Sequence, residues 1–504
     1  MASTFVVSRS QLIYALCLPL AVLIGYFLAE PLESGSIAIV VLVLSVLCLP
    51  LLMKWYHPLL IMSWNAVIVA IGVPGRPGIW MIMAAVGLLI AVLNRSVNPH
   101  RRFNNVQNLT KPLFFLLGVV VITAYLTGGI GLNALGATRA GGKGYVFIFA
   151  AIAGYFAMTS QRIPPERAGL YVALFFLPGL TALISHFASF AGAKSELLFA
   201  IFPGSPATLA RASQNSVFMP DTRYGDFVMA APAIYGYLLA RYGVRGILDL
   251  HAPWRILFFL VAVLGCVYGG YRSALIMLML SFAAVFYLEG LHRTKVLPAL
   301  GGVMLLVGAL ILTQAQRLPY VAQRTLSFLP VKIDSMVRQN AESSTEWRVE
   351  MWRHILPDVP QYLLKGKGYN LTSDDIYWAN QSALNSGEAG SAVAGDYHNG
   401  PLSTVIPFGI WGLIGFGWLL VAGLRYLHRN YRHGDPGLRQ INTLLLGLFA
   451  AKMFFFIFVF GSFSTDLFLF TGMLGLAVSL NGAPGPKVVV EAPEEALSSY
   501  SLRV

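Results

Sequence analysis

Residues 296–313 read VLPALGGVMLLVGALILT, a run without a charged side chain. Coiled as a helix at about 1.5 Å per residue it reaches roughly 27 Å, close to the hydrocarbon thickness of a bilayer. Working outward, comparable runs recur near 12–29, 36–53, 58–73, 78–94, 112–127, 144–159, 168–187, 226–241, 254–270, 273–289, 403–424, 441–460 and 465–481. Hydrophobic residues make up 57% of the 504 positions and charged ones only 11%. The expected fold is therefore an all-α polytopic integral membrane protein with about 12–14 transmembrane helices, and the runs themselves number about fourteen.

The short gaps between runs alternate in charge. Arg95, Arg101, Arg102 and Lys111 share one gap; Arg241, Arg245 and Arg255 flank another; Arg293 and Lys295 lie in a third; Arg425, Arg429, Arg432 and Arg439 lie in a fourth. Basic short loops stay on the cytoplasmic side. The gap with Glu30 and Glu33, and the two longest loops, 188–225 and 315–402, then fall outside, and both termini inside. The net charge of +13 is largely accounted for by topology and anionic lipid, so nucleic acid is not an expected partner. The remaining arginines gather on the outer side, where topology does not require them. Their planar forks suit phosphate oxygens.

Four regions follow. Residues 1–314 form a transmembrane bundle of about eleven spans that includes the external loop 188–225. Residues 315–402 form a long external loop with helices of its own, 403–482 the last transmembrane helices, and 483–504 a cytoplasmic tail. Cys17, Cys48 and Cys266 all fall in spans, which leaves no CxxC site or disulfide framework. The first apolar run lacks an A-x-A-like cleavage site and reads as a retained span.

Three outer-side features stand out. Thr345–Gly368, TEWRVEMWRHILPDVPQYLLKGKG, begins as an amphipathic helix. With Glu346 at zero, Glu350, Arg353 and His354 fall within roughly 80° of it, while Trp347, Val349, Met351, Trp352, Ile355 and Leu356 fill the rest. Arg348, at roughly 200°, sits among these apolar residues and requires a partner from outside the helix. GGYRSALIML places Arg272 at a short turn between two spans, where glycines permit close backbone approach. DYHNGPL places His398 beside Asp396 and Asn399, just ahead of another span; these neighbours are candidates to orient a ring nitrogen.

The order GGYRSA, EWRVEMW with a GKG turn, then HNGPL and GIWGLIG resembles the O-antigen ligase and O-antigen polymerase superfamily. The likeness covers chiefly residues 260–420, and FMPDTRYGDFVMAAP in the earlier loop adds to it. It implies a GT-C-type membrane glycosyltransferase in the bacterial inner membrane whose catalytic loop, 315–402, faces the periplasm. The implied donor is an undecaprenyl-diphosphate-linked glycan and the acceptor a glycan or lipid A-core, with no cofactor and no metal. Carried over by motif, the catalytic residues are Arg272, Arg348 and His398. The chain departs from the commoner twelve-span pattern by about two spans. The chemistry built from the residues agrees: cations stabilise a departing diphosphate, and an imidazole takes the acceptor's proton.

Arg211, Arg223, Lys367, Lys452 and Asn399 are further candidates for binding substrate, together with the membrane lipids around them. Lys452, inside a span, is open to a second role as one half of a buried ion pair. Asp374 and Asp375 look like a metal pair without a third ligand and read as solvated loop. The alternative reading is a lipid-linked polysaccharide transporter or flippase, which would carry polar residues along a transmembrane path. A transferase with an acidic metal site is a further one, with Glu30 and Glu33 its only carboxylates in the first external loop.

Overall fold

The computed structural model describes residues 34–71, 73, 75–97, 104–127, 142–213, 223–369, 377 and 395–482, with Leu18, Pro19, Ala21, Val22 and Gly25. Most of the first apolar run, Glu30, Glu33, Arg101, Arg102, Cys17, Asp374, Asp375, Trp378 and the tail 483–504 lie outside the described residues. The fold is all-α, and among the described residues the sole β-type pairing is an isolated antiparallel bridge between Val69 and Gly78. In a bilayer a helix satisfies its own backbone, so a polytopic chain of this composition has little alternative.

The longer helices are α1 (Ser34–Trp64), α2 (Ile79–Val97), α3 (Gln107–Thr127), α4 (Gly142–Thr159), α5 (Gly225–Ile247) and α6 (Pro253–Tyr268). They continue as α7 (Arg272–Leu288), α8 (Val296–Gln314), α9 (Ser335–Ile355), α10 (Gly400–His433), α11 (Arg439–Phe458) and α12 (Phe463–Asn481). Among the described residues, nine helical stretches are long and apolar enough to cross a membrane, α8 with the highest hydropathy; α6 and α7 are shorter apolar helices. The runs at 36–53 and 58–73 differ from expectation. They do not form two spans: α1 runs through both Pro50 and Pro58 and ends at Trp64, and the residues after it turn into the Val69–Gly78 bridge.

The chain divides into two compact units, 1–59 and 60–504. Within the second, α4 packs between α2 and α12, α3 packs on α10, and α5 contacts α6, α7 and α11. Its core includes Leu60, Ile61 and Trp64, and Trp64 stacks on Phe468 with ring centroids 4.8 Å apart. Cys266 is buried in this core, while Cys48 of α1 is exposed.

The long segment 315–402 is partly helical. Asp334 caps α9 by accepting the Met336 N–H at 2.9 Å. Trp347 and Met351 of α9 pack with Tyr397, Val405 and Ile406 at the start of α10, and the Trp352 indole donates to the Tyr397 carbonyl at 2.8 Å. Burying each such side chain contributes on the order of 1.5–3 kcal/mol. The tryptophan face thus rests on protein.

α10 is broken at Gly409, whose φ of 65° is left-handed, two residues after Pro407. A break there frees backbone groups, which a second segment satisfies: Lys367 N–H donates to Ile406 O at 2.8 Å, Gly368 N–H to Pro407 O at 2.9 Å, and Ile410 N–H to Leu363 O at 2.7 Å. Gly366 and Gly368 also have positive φ, and a Cβ on Gly366 would collide with the Pro407 carbonyl.

Candidate active site

The Gly269–Gly270 pair sets the first side of the site. Gly270 has φ 77°, and a Cβ there would lie 3.2 Å from Val321 Cγ1 and 3.5 Å from Arg223 Cα. Tyr224 N–H donates to the Gly269 carbonyl at 3.1 Å. Three segments therefore meet at one turn. Arg223 is held beside it with its guanidinium 5.3 Å from the Tyr271 ring centroid. Arg272, the first residue of α7, reaches across to α9, where its Nη2 donates to Thr345 Oγ1 at 3.2 Å and to the Ala341 carbonyl at 3.4 Å.

α9 supplies the second side. Its buried residues are Val337, Ala341, Ser344, Trp347 and Met351, a stripe at helical spacing. Arg348, one turn beyond Ser344, lies within that stripe and is half-buried, as its sequence position requires. Glu346, Glu350, Arg353 and His354 are exposed, also as expected. Val349 and Leu356, expected in the apolar arc, are exposed instead, because the packed stripe is narrower than that arc.

His398 closes the site from the start of α10. Its ring stands nearly perpendicular to Trp347, centroids 5.6 Å apart, and 5.2 Å from Phe460. Its φ of 52° is unusual for a residue with a side chain, and it is one of two such non-glycine positions among the described residues. Asp396 Oδ1 holds this conformation by accepting the His398 N–H at 2.9 Å. Asn399 is the N-cap of α10, and its Oδ1 accepts the Leu402 N–H at 3.0 Å. The two polar neighbours thus bind backbone N–H groups in these contacts.

Charge converges on His398. It is only 4% exposed. Burial first, then the positive charges of Arg348 and Arg223, push its pKa down to about 3, below the near-neutral value expected of a base. Arg223 is also within Coulombic range of Arg272. Arg223, Arg272, Arg348 and His398 are therefore brought together, and Arg223, ranked among the secondary candidates by sequence, couples to both ends.

The folded-state pKa of His398 lies below its unfolded value near 6.5, so the native state binds fewer protons between pH 6.5 and 3. The stability this contributes is present above pH 6.5 and is lost as pH falls through that window. We expect the wild type to lose more stability than His398→Gln between pH 7 and 4, as read by thermal unfolding in detergent.

The remaining candidates occupy structural positions. Arg211 donates to the Tyr224 hydroxyl at 2.7 Å and lies 4.8 Å from the Phe190 ring. The short helix that bears it, Pro206–Ala212, is pinned by Asp226, which accepts the Ser205 N–H at 2.8 Å, the Ser205 hydroxyl at 3.0 Å and the Thr208 hydroxyl. Lys452 pairs with Asp466 at 2.6 Å, both largely buried, which gives it the ion-pair role. Lys367 contributes its backbone to the α10 break and is half-buried. Among the described residues no group of His, Cys, Asp and Glu gathers as a metal site would. Asp226 and Phe460 escaped the sequence reading: Asp226 lies in the FMPDTRYGDFVMAAP stretch but was not singled out there, and Phe460 joins the site from a different helix connection.

Residues 257–417 match the family model described as O-antigen ligase. The match covers about a third of the chain and supports its likeness to the O-antigen ligase/polymerase superfamily. No curated protein matches the chain. The matched stretch contains Arg272, Arg348, Lys367, His398 and Asn399, whereas Arg211, Arg223 and Lys452 lie outside it. Arg223 packs against the Gly269–Gly270 turn inside the matched stretch, which brings the earlier loop to the candidate site.

Proposed function

We propose that the protein is a glycosyltransferase of the bacterial inner membrane that moves a glycan from an undecaprenyl-diphosphate-linked donor to an acceptor hydroxyl at the periplasmic face. The observation that carries this is the convergence of Arg348 and Arg223 on a buried, neutral His398 within an O-antigen ligase domain. The acceptor oxygen attacks the anomeric carbon from the side opposite the diphosphate, with inversion. The bond from that carbon to the phosphate oxygen breaks, and its electron pair stays on the diphosphate. The acceptor's proton passes to the imidazole of His398. Arg348, Arg272 and Arg223 sit where the leaving charge grows, and fixed cations there stabilise the transition state more than the ground state.

The low pKa of His398 fits this reading. A diphosphate beside the arginines offsets their charge and raises the imidazole's basicity when substrate is bound. The acid limb of kcat should therefore lie at higher pH than that of kcat/KM, which reports the free enzyme. Superimposable limbs near pH 6.5 would count against it.

Arg348→Ala is expected to lower kcat for transfer by about 10²–10³-fold, the scale of one lost charge-stabilising donor. Arg348→Lys should recover only part of it, because a point charge lacks the planar fork. Near-normal transfer by Arg348→Ala from a purified lipid-diphosphate glycan would overturn the assignment. Deleting the gene distinguishes the two acceptor classes. Unsubstituted lipid A-core with lipid-linked chains accumulating indicates a ligase, whereas a single capped repeat unit, or loss of extracellular polymer alone, indicates a polymerase.

A further inference from the structure

A second cationic feature lies at the end of α10 remote from His398. The last turns of that helix read RYLHRNYRH, Arg425 to His433. Arg425 and Arg429 are four residues apart, so they stack on one face, and both are exposed. They form a ridge between two recesses. On one side a cavity of about 370 Å³ lies between α10 and α3, where Lys111 joins the two arginines and Trp418 forms part of the wall. On the other a cavity of about 580 Å³ lies among α10, α7 and α11, walled largely by apolar groups such as Leu424 and Leu446 together with Tyr287. Among the described residues, neither lining includes a carboxylate.

Basic residues at the C-terminal end of a membrane helix set topology and complement the helix dipole. Neither role requires a recess. Arg432, exposed on the same helix end, lines neither cavity and serves those roles equally well. Three cations around a polar recess, continuous across an arginine ridge with an apolar groove, match a ligand with an anionic head and a hydrocarbon chain. Guanidinium forks suit phosphate oxygens. Trp418 and Tyr287, 43% and 64% exposed, are aromatic groups of the kind that sit at headgroup level.

We infer that Arg425, Arg429 and Lys111 bind the phosphate headgroup of an anionic membrane phospholipid, with an acyl chain laid in the groove among α7, α10 and α11. α10 is long enough to cross the bilayer, so this lipid comes from the leaflet opposite His398. The site is independent of the transfer chemistry. Basic recesses between transmembrane helices recognise acidic headgroups in this way.

Thermal unfolding of the full-length protein in neutral detergent, with phosphatidylglycerol or phosphatidylcholine added to the micelles, tests it. A ligand that binds the native state raises Tm. Phosphatidylglycerol should raise it and phosphatidylcholine should not. The rise should vanish in R425Q/R429Q, survive in part in R425K/R429K and be unchanged in R432Q. A rise that persists in R425Q/R429Q, or one matched by phosphatidylcholine, overturns the proposal. So does an equal rise with inorganic phosphate at the same concentration, which would mark an anion site without a lipid. If R425Q/R429Q does not fold, Lys111→Gln is measured in its place, and an undiminished response there overturns the proposal too.

Discussion

His398→Gln is expected to lower kcat for glycan transfer by about 10²–10⁴-fold, the usual contribution of a positioned general base. Glutamine keeps much of the ring's bulk between Trp347 and Phe460 but cannot take the acceptor's proton. The fold should survive, because the His398 backbone is held by Asp396 and the cap of α10 is made by Asn399. Binding of the lipid-linked donor should change little. A KM effect without a kcat effect would assign His398 to substrate placement and remove it from proton transfer. His398→Ala is a poorer test, since it also opens a cavity beside two aromatic rings.

The second large effect concerns stability. Lys452→Met leaves the Asp466 carboxylate buried without its cation, and breaking such a pair from one side typically costs about 3–5 kcal/mol. The double variant Lys452→Met/Asp466→Leu should regain much of that, because replacing both charges removes the desolvation penalty along with the attraction. Unfolding of the single and double variants, compared as a cycle, measures the coupling. Activity should suffer in the single variant as well. Asp466 Oδ2 accepts the Ser462 N–H at 2.8 Å, and Ser462 is two residues from Phe460, which packs on His398. Equal stability of Lys452→Met and wild type would refute a structural pair.

The membrane fold was legible because hydrophobic length is a strong local signal. The runs from 78–94 onward each overlie helical chain, with α10 running nine residues past its run and 168–187 divided among short helices. The run at 58–73 misled because apolar composition alone does not show where a helix stops, and the bridge from Val69 to Gly78 depends on pairing that no local pattern announces. Arg348 could be placed on the packed stripe from spacing alone, since angular position on a helix follows from residue number. Arg223 was harder to rank. Its importance comes from the Gly269–Gly270 turn, some forty-odd residues on, pressing against its backbone. The depression of the His398 pKa was likewise invisible, because burial and neighbouring charge are properties of the assembled site.

The exchange of backbone hydrogen bonds between Lys367, Gly368 and the break in α10 has a bearing on chain length. Surface loops ordinarily tolerate added or missing residues with little penalty. The arm from Ile355 to Gly368 is different: its starting helix packs on the beginning of α10 and its far end donates to Ile406 and Pro407 of that same helix. Both ends are tied to one rigid object, so a single insertion or deletion in this arm shifts Lys367 and Gly368 out of register with the carbonyls they serve. Variation in loop size among related chains should accordingly be accommodated between Gly368 and Asp396, leaving this arm constant in length.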